Sequence, residues 1–140
     1  LLKTSDKMYK IPAYKELGLK EEKNTNIILG GRKEGLKLLE SFLYYKGKNY
    51  SVEMSSPITS IESCSKLSAH ISFGTLSIKE IFQMANKRIE TLKNNSSIEN
   101  KVWIKSIRSF LKRLHWHCHF IQKLEDDPTI EFKNMHSLYV

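Results

Sequence analysis

Residues 98–128 read IENKVWIKSIRSFLKRLHWHCHFIQKLEDDP, and this stretch decides the fold. An α-helix turns about 100° per residue. Counted from Arg113, the side chains of Ile107, Phe110, Leu111, Leu114, Cys118 and Ile121 gather in one direction. Lys101, Lys105, Arg108, Lys112, His119 and Lys123 gather nearly opposite. An apolar stripe facing a charged one at this period predicts an amphipathic helix from about Ile98 to Glu125. Asp126-Asp127-Pro128 ends it.

Working upstream, Asn94-Asn95-Ser96-Ser97 is a loop by composition. Before it, Ser77-Ile78-Lys79-Glu80 is a capping box, and it opens a helix that buries Ile78, Ile81, Phe82, Ala85, Ile89 and Leu92. Thr59-Ser60-Ile61-Glu62 is a second capping box. It predicts one short helix with Ile61, Cys64, Leu67 and Ile71 inward, broken by Gly74. A further helix starts at Gly31, places Leu36, Leu39, Phe42 and Leu43 on one face and ends near Gly47. Lys48 to Pro57 reads as an irregular connection. No stretch carries the alternating pattern of a strand ladder, and no repeat of 20 to 50 residues is present. The expected fold is all-α, with four or five helices over residues 30–140 and a lysine-rich linker or arm over 1–29.

The 140 residues amount to about one domain. No stretch approaches the roughly 18 apolar residues of a membrane span, and Leu1-Leu2-Lys3-Thr4-Ser5-Asp6-Lys7 turns polar too early for a signal peptide. The first residue is not Met, so a piece of a longer protein is expected. Lysines and arginines number 23 against 15 acids, a balance of +8. That favours phosphate-bearing partners, or else it only solvates the surface. Cys64 and Cys118 sit beside apolar positions and read as two buried thiols, which fits a reducing, cytoplasmic compartment.

Three groups of residues carry candidate chemistry. Arg113, Trp116 and His117 are neighbours at i, i+3 and i+4. The guanidinium suits a phosphate or carboxylate and the indole suits a planar ring; the alternative is a half-buried Trp with Arg laid over it. His115 and His119 have the i, i+4 spacing of a helical metal site, but no Glu lies between them and no third ligand is evident, so no metal is expected. Ser60, Ser63, Cys64, Ser65, Lys66 and Ser68 crowd one helix start, where hydroxyls, N–H groups and a lysine suit a phosphate. The alternative is that these serines only cap and pack. Neither a P-loop nor a GxGxxG pattern exists.

Some of these segments resemble a known family. Gly30-Gly31-Arg32 followed by Gly35-Leu36-Lys37-Leu38-Leu39 resembles the opening of the flavin domain in photolyases and cryptochromes. The run from Ser63 to Ser77, with Cys64-Ser65-Lys66-Leu67-Ser68 and Phe73-Gly74-Thr75-Leu76-Ser77, resembles their serine-rich segment. Leu111 to Phe120, centred on Trp116, resembles their W-R-E-F helix, and Arg113 to Asp126 is most similar to a divergent bacterial photolyase-related subgroup. The likeness spans roughly residues 30–140.

The resemblance implies part of a helical domain that holds FAD. Cys64, Ser65, Lys66, Leu67 and Ser68 would grip its phosphates, Arg113 and His117 would stand near the cofactor, and Trp116 would stack on a flipped pyrimidine dimer. It implies a parent protein that repairs damaged DNA under blue light, or a cryptochrome-like photoreceptor. This chain alone would be inactive and prone to self-association through exposed apolar surface. A third possibility needs no flavin: a basic helical module for nucleic acid or protein. The departures from the family are Cys64 in place of Thr, Ala69 in place of Pro, and His117-Cys118-His119-Phe120 after the Trp. Tyr45 and Tyr50 are the two candidates for a Tyr that the family places before the serine segment.

Overall fold

The computed structural model describes residues 12–20, 27–136 and 138–139. Much of the expected arm, including Leu1 to Lys7, lies outside the described residues; 12–20 and 27–30 are exposed and non-helical. Among the described residues the chain is helical with no strand, so the all-α expectation stands. No helix among them is long and apolar enough to cross a membrane.

Helix α1 covers Arg32–Ser41 and buries Leu39. Its Arg32 makes a two-point ion pair with Glu80 on the helix that Ser77 opens, with one contact at 2.9 Å from Nη1 to Oε2. This pair holds the Glu80 carboxyl below its usual range. The α1 register then loosens into one π-helical turn, Phe42–Lys46, followed by a 3-10 turn, Gly47–Asn49, and α2, Tyr50–Glu53. The stretch expected to be irregular is therefore mostly helical. Its reason is the ring of Tyr50, which the sequence pattern left unassigned. Tyr50 stands edge-on to Phe42, with centroids 5.4 Å apart, and to Phe110, at 6.0 Å. Phe42 and Phe110 meet at 4.6 Å. Such tilted and edge-on pairs add to the stabilisation that burial already gives. Gly47 permits the tight turn, since a Cβ there would lie 2.6 Å from the Phe42 carbonyl oxygen.

The helix expected from Thr59 to Gly74 is two single turns, α3 (Ser60–Ser63) and α4 (Ser68–Ser72). Thr59 is already helical and caps nothing with its side chain. Ser56 Oγ instead accepts from the Thr59 N–H at 3.3 Å, and Ser63 Oγ donates to the Thr59 carbonyl at 3.3 Å. Short hydroxyl side chains compete with the helical ladder in this way. Cys64 is then extended and Lys66 is left-handed at φ 55°. The consequence is a changed inward face: Leu67 is buried, whereas Ile61 is exposed.

Helix α5 (Ile78–Lys93) begins as expected, with Ser77 Oγ accepting from the Glu80 N–H at 3.1 Å. It buries Ile81, Ala85, Ile89 and Leu92. Helix α6 (Ile98–Asp126) is capped by Ser97. Asn100 locks the α5–α6 turn, donating from Nδ2 to the carbonyls of Leu92 at 3.1 Å and Asn95 at 2.8 Å. Helices α5 and α6 pack together, and α2 with its preceding 3-10 turn packs on the other flank of α6.

The expected core stripe of α6 holds only to Leu114. Ile107, Phe110, Leu111 and Leu114 are buried, but Ile121 is 47% exposed and Cys118 is also exposed. The 29 residues of α6 extend about 43 Å, against about 24 Å for α5, so its distal end outruns its partner. The reading of two buried thiols fails with it: Cys64 is half-buried and Cys118 is open.

Candidate functional site

The serine segment folds as a partly buried loop between α3 and α4. Leu67 anchors it in the core, and the left-handed turn at Lys66 sends that side chain outward. Lys66 lines a groove against Glu34, Leu38 and Ile61. Ser65 is half-buried and Ser68 exposed, and neither hydroxyl has a hydrogen-bond partner among the described residues. Ser63, by contrast, is buried and bonded inward. Of the four expected hydroxyls, Ser63 is therefore structural, while those of Ser60, Ser65 and Ser68 have no partner among the described residues.

Behind this loop lies His70, buried, with its Nδ1 2.8 Å from the Thr75 hydroxyl and its Nε2 without a partner among the described residues. Its ring lies against Gly35 of α1, where a Cβ would meet Nδ1 at 2.9 Å. The histidine thus joins α1 to the segment that follows the serine loop.

Cys64 and Arg113 both act electrostatically on the buried Tyr50 phenol. Burial pushes the Tyr50 phenol up from its ordinary range, the nearby Cys64 thiol adds to this, and the Arg113 guanidinium opposes it. Burial likewise raises the Cys64 thiol, while Lys66 lowers it. Tyr50 is one of the two candidates before the serine segment. Tyr45 is 80% exposed, whereas Tyr50 is buried.

Trp116 is 55% exposed on the distal half of α6. Its neighbours are His119, edge-on with centroids at 5.8 Å, and Phe120, tilted at 6.0 Å. Arg113 does not lie over the indole; the guanidinium stacked on rings is that of Arg88, 4.4 Å from Tyr44 and 5.9 Å from Trp103. The half-buried alternative for Trp116 is thereby replaced by an open aromatic surface. His117 is half-buried, with Nδ1 shielded and unpartnered among the described residues. Trp116 lines a cavity of about 400 Å³ with Lys112, His115 and His119, not the groove that holds Lys66. Of the expected site residues, then, Cys64 and Arg113 both influence the Tyr50 phenol, and Lys66 and Trp116 do not share a cavity.

His115 turns to Phe82, edge-on at 5.1 Å, while His119 turns to Trp116. Among the described residues no three His, Cys, Asp or Glu side chains gather as a metal site would need. Comparison with known proteins adds no relative: no family model, no curated protein and no solved structure matches this chain.

Proposed function

We propose that this chain is part of a photolyase/cryptochrome-type flavin domain, and that its parent is a blue-light-driven, FAD-dependent repair enzyme for pyrimidine dimers in DNA. The observation that carries the reading is the serine loop itself, where Leu67 is buried, Lys66 turns left-handed into a groove and the Ser65 and Ser68 hydroxyls have no partner among the described residues. The donor set fits the cofactor's phosphates: the hydroxyls of Ser65 and Ser68 are available, and Lys66 adds a cation on a turn held by Leu67. When bound, FAD supplies light-driven electron transfer, which is chemistry that no side chain offers. The residues of the chain bind and orient. Ser65, Lys66 and Ser68 hold the phosphates, and Arg113 and His117 face the cofactor from α6. Trp116, with Phe120 beside it, offers a face on which an extruded base stacks.

A visible absorption spectrum of the purified full-length protein during an FAD titration tests this. Structured flavin bands are expected on binding, weakened by Ser65→Ala and Ser68→Ala. Trp116→Ala should leave FAD binding intact and weaken dimer-containing DNA by about 1–3 kcal/mol. A full-length protein that binds no flavin overturns the proposal. A cryptochrome-like photoreceptor is the second reading, favoured by His117-Cys118-His119 where the family's Trp is followed by Arg and Glu. Flavin binding without preference for dimer-containing DNA would select it.

A further inference from the structure

Helix α6 carries a second feature, on the side opposite its buried stripe. Lys101, Lys105, Arg108 and Lys112 line one cavity of about 550 Å³ together with Ser51 of α2 and Lys93 at the end of α5. Lys93 is paired with Glu90 at 2.7 Å. Among the described residues, none of the four α6 cations has an acidic side chain within ion-pair distance. From Lys101 to Lys112 the helix rises about 16 Å, which matches the axial rise of about five nucleotides of one strand. The row does not end in open solvent. Lys112 also lines the cavity of Trp116, His115 and His119, so cations lead directly to exposed rings.

We propose that this groove is a track for the phosphodiester backbone of single-stranded nucleic acid, delivering unpaired bases to the Trp116–Phe120 face. Two observations choose this partner over other polyanions. The cations run in a line along one helix, as a linear polyanion requires. The surface beyond them is aromatic, and stacking on it needs a base that is free of its complement. The inference rests on the proposed function only in choosing DNA over RNA; the cations and rings act without flavin.

The test measures binding of the full chain to a labelled, undamaged 15-nucleotide oligo-dT by fluorescence anisotropy, in the dark without FAD, across a salt series. In Lys105→Gln/Arg108→Gln the slope of log affinity against log salt should shrink by about 1.4, from roughly 0.7 per lost contact on a single strand. Lys33→Gln/Lys87→Gln removes the same charge from exposed positions on α1 and α5 and should leave the slope as in the unaltered chain. Trp116→Ala should weaken binding about 5- to 150-fold, the range typical for loss of one stacked base. Equal slope changes in the two double variants would overturn the track, because the attraction would then be diffuse. Stronger capture by phosphatidylserine vesicles than by the oligonucleotide would overturn it in favour of a lipid surface. A groove effect in a full-length protein that binds no flavin leaves the track standing and removes the repair reading. The reverse result, FAD-dependent dimer binding that is indifferent to Lys105 and Arg108, removes the track alone.

Discussion

Ser106 offers the sharpest test of how α6 is seated. Its side chain is fully buried and its hydroxyl joins three groups from the segment before α3. It donates to the Lys48 carbonyl at 2.5 Å, accepts from the Ser51 N–H at 3.2 Å and lies 3.2 Å from Ser51 Oγ. The Ser51 N–H belongs to the first turn of α2, where no helical carbonyl is available to it. Ser106→Ala removes one oxygen and leaves a carbonyl and an N–H unpaired beneath a packed helix. Each such group costs about 1–3 kcal/mol, and partial rescue by the Ser51 hydroxyl puts the expected total at roughly 2–4 kcal/mol. For a chain of this length that corresponds to a fall in Tm of about 6–12 °C. Urea denaturation should show a lower midpoint with an unchanged m-value. Ser109→Ala is the control. Its hydroxyl reaches only Met54 Sδ at 3.9 Å, and the loss should stay within about 0.5 kcal/mol. A Ser106→Ala loss no larger than the control's would refute the claim that this hydroxyl anchors the Tyr50 segment.

Ser77→Ala removes the α5 cap and should cost about 1 kcal/mol in the same assay, while Ser77→Asp should recover most of it. Gly47→Ala forces a Cβ against the Phe42 carbonyl and ring; a loss of at least about 1–3 kcal/mol is expected from overpacking, seen as a lower thermal midpoint. Gly35→Ala presses on His70 and Leu76 and should destabilise the fold by a similar amount, with α1 amides exchanging faster. Tyr50 gives a pH dependence. Its folded-state pKa is raised, so the folded protein holds that proton more tightly than the unfolded chain does. The stability this contributes is fully present below about pH 10, the unfolded value, and is lost as the pH rises through the folded value. Tyr50→Phe should therefore lose less stability than the unaltered chain between pH 9 and pH 11, measured by urea midpoints.

The long helices were legible because their signals are local and redundant. In α5, the Ser77 cap and the Ile81, Ala85, Ile89, Leu92 spacing agree with each other. The serine segment misled because its hydroxyls satisfy backbone groups out of helical order, a competition that periodicity cannot register. Tyr50 was missed as a core residue because its ring partners, Phe42 and Phe110, are 8 and 60 positions away in sequence. The expected core stripe fails at Cys118 and Ile121, because period says only where a face points, not how far a neighbour extends. The Lys101–Lys112 row was visible as a basic stripe. Its opposition to Ser51 and Lys93, which makes a groove of it, needed the fold.

The overhang of α6 divides one continuous helix into two classes of backbone amide. Those before Leu114 sit beneath buried side chains and should exchange with solvent chiefly through opening of the whole core. Those beyond His115 have little above them except the 3-10 turn Pro128–Glu131, and they should exchange through local fraying from the Asp126 end. The boundary falls within one turn of Trp116. Any partner seated on that aromatic face would have to hold the frayed turns in place, and it would announce itself as slowed exchange moving outward along the helix from that boundary.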